Sequence, residues 1–293
     1  MDDSIPTYTA APDGSLSSEM ASAYREAGVI VLHDFVSSDA CSALRQRALE
    51  LVDAFDPATV DTVFSSATDQ HQADAYFLES GDKIRFFLEV DAFDEHGRLR
   101  QSKTDSLNKI GHAMHDLDPV FEQFSYTPAL ATIVDRLGIR DPGVLQSMYI
   151  FKPPRIGGEV VFHQDSTYLY TEPESCIGCW FALEDATTEN GCMHFIPGGH
   201  KGPLRERSVR VADDRLALKT LDDTPWEADR ALPVEARAGT LVLFHGRAPH
   251  YSGPNRSSTS RHAYTLHVID RGSAYPADNW LQRGDDMPVR GFR

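Results

Sequence analysis

The sequence predicts a mainly β protein, an antiparallel sandwich or barrel with a helical first half. Three observations carry this expectation. From about Val144 onward, short apolar runs recur between glycines and prolines, as expected for many short strands joined by tight turns. Before that point, apolar residues fall at three- and four-residue steps behind serine caps, the spacing of amphipathic helices. No Ser/Gly-rich linker, internal repeat or low-complexity segment interrupts the 293 residues. One domain over 1–293 is therefore expected, with helical elaboration mostly over 15–140 and the β core mostly over 144–270.

Each element has its own signal. Ser17-Ser18-Glu19 opens a helix that runs to about Ala27, Gly28 stops it, and the apolar run 29–32 reads as a strand. Ser37-Ser38-Asp39 opens a second helix, with Cys41, Leu44, Ala48, Leu51 and Val52 on one face. Residues 84–90 (IRFFLEV) look like a strand. Between Asp105 and Phe124, the spacing of Leu107, Ile110, Met114, Leu117 and Phe121 predicts a helix, kinked or broken at Pro119. Six further strands are expected over 145–151, 159–163, 177–183, 192–196, 240–244 and 263–268. Cys176 and Cys179 have C-x-x-C spacing but no second pair nearby, so they read as part of a buried strand rather than a metal site.

Charge and composition narrow the function. With 28 Lys+Arg against 44 Asp+Glu, the net charge of −16 repels phosphate backbones, so nucleic acid is not the expected partner. No apolar run approaches the roughly 18 residues that a membrane span needs. The acidic start (residues 1–6) resembles neither an export signal nor a transit peptide, and the final residues are not a peroxisomal tripeptide. Four cysteines do not make a disulfide framework, so a soluble, cytoplasmic protein acting on a small molecule is expected. The oligomeric state is left open.

Histidine is the informative residue, with 12 copies. His163-Gln164-Asp165 is an H-x-D at the end of a candidate strand, where side chains two apart share a face and can grip one ion. Roughly one such motif is expected by chance, so alone it is weak. The downstream half strengthens it: a strand ends at His245, His250 follows, and Arg261 opens the last candidate strand. Two imidazoles and a carboxylate make the facial triad of non-haem Fe(II) oxygenases. Such a site leaves room for a bidentate 2-oxo acid, whose far carboxylate calls for the planar fork of an arginine. Arg261 is placed for that, and Ser252, two residues from His250, can donate to the same carboxylate. His245 competes with His250, but it shares a face with Leu241 and Leu243, and the spacing to Arg261 favours His250. His112 and His115, three apart on the expected helix, have no carboxylate to complete a site. No hydrolase elbow, P-loop or dinucleotide fingerprint occurs.

Beyond these residues, several stretches resemble the phytanoyl-CoA dioxygenase family: YFLESGDKIRFFLE (76–89), NKIGHAMH (108–115), QSMYIFK (146–152), GGEVVFHQDSTYLYTE (157–172), EDATTENGCMHFIPGGH (184–200) and DNWLQ (278–282). The resemblance runs from about Gly28 onward; Gly199 departs from it, standing where the family usually has serine. It implies a double-stranded β-helix (jelly-roll, cupin-like) core with N-terminal helices packed outside. It also implies Fe(II) held by His163, Asp165 and His250, with 2-oxoglutarate and O2 as cosubstrates. For 2-oxoglutarate it points to Lys109, Met148, Gln164, Trp180, Ser252 and Arg261; Tyr76, Phe77, Lys83 and Arg85 are candidates for the substrate entrance. The implied activity is hydroxylation or another oxidation of a small organic substrate, with succinate and CO2 as co-products. Because Asp165 fills the place where a halogenase would admit chloride, hydroxylation is the expected outcome. The substrate alternatives are an acyl-CoA or carboxylic acid against a natural product or amino acid. The basic residues Lys201, Arg205, Arg207, Arg210 and Arg215 are either a grip for an anionic handle or a solvated loop. A non-catalytic jelly-roll binding protein is the alternative of another class.

Overall fold

The computed structural model describes residues 4–11, 13–57, 63–64, 75–211 and 215–292. Two sheets face one another, and helices cover the outer side of the larger. The expected mainly β fold is present, with its α-helices in the first half.

The helices begin where the caps place them. Ser17 accepts a hydrogen bond from the backbone of Met20 and starts α1 (Ser18–Ala27). Gly28 ends it with φ 76°; a Cβ at that position would meet His200 Nδ1 at 2.2 Å, so glycine is required both by the turn and by the neighbour. Strand β2 (Val29–His33) follows, paired with the short β1 (Thr7–Thr9), and Ser37 caps α2 (Ser38–Ala54). After β3 (Val63–Phe64) and α3 (Ala75–Leu78) comes β4 (Ile84–Glu89).

The helix expected over Asp105–Phe124 is not one helix. Its first part is β5 (Leu107–His112), hydrogen-bonded on one side to β4 and on the other to β6 (Pro142–Ile150). Leu107, Ile110 and Met114 share helical spacing by coincidence, and pairing on both edges overrides that local signal. The break at Pro119 is present: α4 (Met114–Leu117) ends, Asp118 caps the next turn, and Pro119 is the first residue of α5 (Pro119–Ser125). A further helix, α6 (Pro128–Arg136), is capped by Thr127.

All six strands expected after residue 144 are present: β6, β7 (Val160–His163), β8 (Ile177–Ala182), β9 (Met193–Phe195), β13 (Leu241–His245) and β15 (Ala263–Asp270). Between β9 and β13 lie β10 (Glu206–Val211), β11 (Arg215–Thr220) and β12 (Leu232–Val234). Strands β14 (His250–Ser252) and β16 (Arg290–Gly291) complete the set. The large sheet has ten strands, in the order β1-β2-β13-β8-β15-β6-β5-β4-β3 with β16 beside β6. The small sheet runs β12-β9-β14-β7.

Alternation along the large sheet sorts the side chains. One row, Ile110–Tyr149–Tyr264–Phe181, lies under the helices in the main core. The neighbouring row, Gly111–Met148–Thr265–Trp180, faces the small sheet, and its three side chains Met148, Thr265 and Trp180 floor a cavity between the two.

Candidate active site

The cavity is about 190 Å³ in volume. His163 ends β7 and is paired directly across the small sheet with His250 on β14, their ring centroids 4.2 Å apart. Asp165 follows two residues after His163 and is buried. His163 Nε2 lies 3.5 Å and His250 Nε2 3.7 Å from Asp165 Oδ1, and the three donor atoms all lie within 4.8 Å of one another. An octahedral ion with bonds of about 2.1 Å sets neighbouring donors about 3 Å apart, so small adjustments suffice.

The rings are aimed by their other nitrogens. His163 Nδ1 is 2.9 Å from the carbonyl of Val161, and His250 Nδ1 is 2.9 Å from that of Ala248. A carbonyl only accepts, so Nδ1 carries the proton in both, and each Nε2 lone pair is left for an ion. Burial pushes His250 down to about 4, which keeps it neutral and able to ligate. Burial alone would raise the Asp165 carboxyl; the imidazoles of His267, His163 and His250 overcome this and hold it well below its usual range. His267 Nε2 lies 3.0 Å from Asp165 Oδ2 and fixes the carboxylate from the large sheet.

Arg261 is 2% exposed, and its Nη2 donates to Ser252 Oγ at 3.1 Å while Trp180 lies beneath its guanidinium at 5.4 Å. Its Nε and Nη1 are buried without a hydrogen-bond partner among the described residues. Two orphaned donors on a buried cation fit a carboxylate from outside the chain. Lys109 lines the same cavity, its ammonium 5.6 Å above the rings of Phe77 and Phe87, and burial pushes it down to about 7.

The structure brings Lys109, Met148, Trp180, Ser252 and Arg261 to one cavity wall with His163, Asp165 and His250. Gln164 is a correction. It sits between two residues that share a face, so its side chain turns away from the cavity. Its Nε2 donates to the carbonyls of Pro203 and Arg247, and its Oε1 accepts from the backbone of Arg205. Its amide therefore anchors loops. Of the entrance candidates only Phe77 reaches the cavity. Tyr76 accepts from the backbone of Phe86, Lys83 donates to Asp82 and Glu79, and Arg85 is held by Tyr76 and Glu79. His245 stands apart from the triad against His200.

His112 and His115 do not share a helix. His112 ends β5 at the cavity wall, and His115 lies in α4 with its Nδ1 2.8 Å from Ser147 Oγ. Four of the five basic residues in the segment are engaged within the chain, while Arg215 on β11 is exposed. Lys201 pairs with Glu26, Arg205 with Asp222 and Arg207 with Asp278, and Arg210 donates to the carbonyls of Trp280 and Leu78. Cys176 and Cys179 are buried free thiols, and burial pushes Cys179 up to about 12, as a strand residue rather than a reactive one. Residues that sequence reasoning missed include His267, Gln146, Glu89 and Trp280, all on the cavity wall. The available signal for His267 was its period-two spacing from Thr265 on an otherwise apolar strand.

A jelly-roll that presents two imidazoles and one carboxylate to a buried cavity, with an arginine beyond them, has the donor set of the non-haem iron oxygenases. The chain belongs to the phytanoyl-CoA dioxygenase family, whose model, described as "Phytanoyl-CoA dioxygenase (PhyH)", matches residues 24–263. With that membership and this triad, it is an Fe(II)- and 2-oxoglutarate-dependent dioxygenase. It is 44% identical over 271 residues to "Phytanoyl-CoA dioxygenase" of Arabidopsis thaliana, covering 92% of this chain and 95% of that one. It is 42% identical over 283 residues to "Phytanoyl-CoA dioxygenase domain-containing protein 1" of Mus musculus, covering 93% and 97%. Among solved structures, the non-heme alpha ketoglutarate dependent carbocyclase SnoK from nogalamycin biosynthesis is similar with a TM-score of 0.64 at 19% identity, covering 96% and 98%. EctD from S. alaskensis with bound Fe gives 0.62 at 20%, covering 94% and 84%. At such identities the likeness is one of fold. Among the described residues, no helix is long and apolar enough to cross a membrane.

Proposed function

We propose that His163, Asp165 and His250 hold the ferrous ion, and that Arg261, Ser252, Trp180, Met148 and Lys109 hold 2-oxoglutarate beside it. A small organic substrate is then hydroxylated in the rest of the cavity. The observation that carries this reading is the convergence of two proton-free Nε2 atoms and Asp165 Oδ1 on one point, with Arg261 holding two unpaired donors in the same cavity. When bound, iron and 2-oxoglutarate would supply the oxidising power: O2, the keto acid and the substrate would be consumed, and succinate, CO2 and the hydroxylated substrate released.

The chain's own residues bind, orient and exclude water. The carbonyls of Val161 and Ala248 set the histidine tautomers, and His267 sets the carboxylate. Ser252 and Trp180 hold the Arg261 fork in place before any ligand arrives. Phe77, Leu169, Trp280 and Leu216 give the remaining space an apolar wall. Cytosolic residence is part of the proposal, supported by four free, buried cysteines.

Succinate production from 2-oxoglutarate with Fe(II) under air tests the assignment. The wild type is expected to turn over and His163→Ala to lose at least about 100-fold, with an unchanged melting temperature before iron is added. Equal turnover by both proteins would refute the site.

A further inference from the structure

The cavity has a second end, and its chemistry differs from the first. Along β15 and β6 the inward side chains run from Arg261 and Lys152, past Thr265 and Met148, to His267 and Gln146. The Arg261 end holds cations. At the other end His112 is fully buried, surrounded by Phe77, Phe87 and Trp280 at ring-centroid distances of 5.6, 5.5 and 5.1 Å.

The protonation of His112 follows from its neighbours. Ser80 Oγ lies 2.5 Å from the carbonyl oxygen of Phe77 and 2.7 Å from His112 Nδ1. Two oxygens that close need a proton between them, so the single hydroxyl hydrogen goes to Phe77. Ser80 Oγ must then accept across its contact with Nδ1, so Nδ1 carries the ring proton. His112 Nε2 is left with a bare lone pair, and among the described residues it has no hydrogen-bond partner. Burial, aided by the nearby Lys109, keeps the ring from taking a second proton.

Unpaired buried acceptors are costly and imply a missing donor. An ammonium would supply one but would set its charge beside Lys109. A carboxylate has no proton to give and would leave Nε2 unpaired. A neutral O–H satisfies the site without either penalty. We infer that His112 is a specificity-determining residue, whose Nε2 accepts a hydrogen bond from a hydroxyl group of an otherwise apolar substrate packed against Phe77 and Trp280. The inference deepens the reading above, since the Arg261 end must be the 2-oxoglutarate end for this one to be left to the substrate.

The test uses full-length protein labelled with 15N-histidine and loaded with Zn(II) in place of iron, observed by NMR. The probes are a panel of benzyl, cyclohexyl and n-alkyl alcohols, each paired with its methyl ether. His112 is expected to be neutral with the proton on Nδ1. An alcohol is expected to shift its Nε2 signal and to bind at least tenfold more tightly than the matched ether. His112→Phe should abolish that preference, whereas His112→Gln, which keeps an acceptor, should restore part of it. A proton on Nε2, an Nε2 signal that no alcohol moves, or equal binding of alcohol and ether by the wild type overturns the inference. Binding of 2-oxoglutarate to the His112→Phe protein is measured separately and is expected to stay within twofold of wild type. If 2-oxoglutarate fails to bind even the wild type, the parent reading falls, while the alcohol preference is judged on its own data.

Discussion

The two sheets that enclose the cavity are built to different standards. In the large sheet, every residue of β8 is buried and only the last residue of β15 is not. In the small sheet, all four residues of β7 are half-buried, although β7 ends in His163. The face that would do the chemistry is thus the thinner one, and packing alone does not aim its side chains. Orientation comes instead from single hydrogen bonds: a carbonyl two residues before each histidine, and His267 reaching across from the large sheet to Asp165. The proposed metal ligands His163 and His250 thus stand on the thinner wall, while the proposed 2-oxoglutarate contacts Lys109, Met148 and Trp180 stand on the packed large sheet.

That division can be broken by experiment. The largest effect is expected from the covered side of the large sheet. Phe181, fully buried among Phe35, Phe124 and Tyr264, should cost about 3–5 kcal/mol when replaced by alanine. Urea unfolding measures this, and the KM for 2-oxoglutarate should barely change in the protein that remains folded. Next comes Arg261→Ala. Losing a buried charged fork should weaken 2-oxoglutarate binding by about 2–4 kcal/mol, seen as a rise in KM of roughly 100-fold. Substituting His267 by Phe leaves the three proposed ligands in place but frees Asp165; metal affinity should fall about 10- to 100-fold by competition titration. A loss of stability with unchanged metal affinity would instead assign His267 to packing.

The smallest effect is one of pH. Burial holds Lys109 near 7, so its charge is present below that pH and is lost as pH rises through it. If the ammonium helps to hold 2-oxoglutarate, KM should rise a few-fold between about pH 6.5 and 8.5, and Lys109→Met should flatten the profile. The same shift works on stability in the opposite sense. The folded protein disfavours the charged lysine, so this burial penalty is full below about 7 and is relieved as pH climbs toward the unfolded value.

Much of this was legible in the sequence, for identifiable reasons. Strands β7, β8 and β13 were clear because apolar β-branched and aromatic runs end at turn residues. The triad was legible because H-x-D spacing on a strand places both side chains on one face, and His250 could be chosen over His245 by its distance from Arg261. Strand β5 was not, because Leu107, Ile110 and Met114 carry helical spacing and only the flanking strands decide the matter. Gln164 was misplaced by adjacency: neighbours of two ligands on an extended chain point the other way. His112 was out of reach, since its significance depends on Ser80 and on Trp280, which come from distant parts of the chain.

Trp280 also bears on how the molecule is completed. It stacks on Phe77 at 4.5 Å, and the segment that follows is tied back by Arg283 to Asp116 and by Arg290 to Glu122. Strand β16 adds a rung beside β6. The pocket lining therefore spans from Phe77 to Trp280, and a chain still emerging from the ribosome has its proposed metal-binding histidines before it has a closed chamber. Deleting the stretch from Asp278 onward should leave a β-structured protein that still takes up iron but lets water flood the place meant for the substrate.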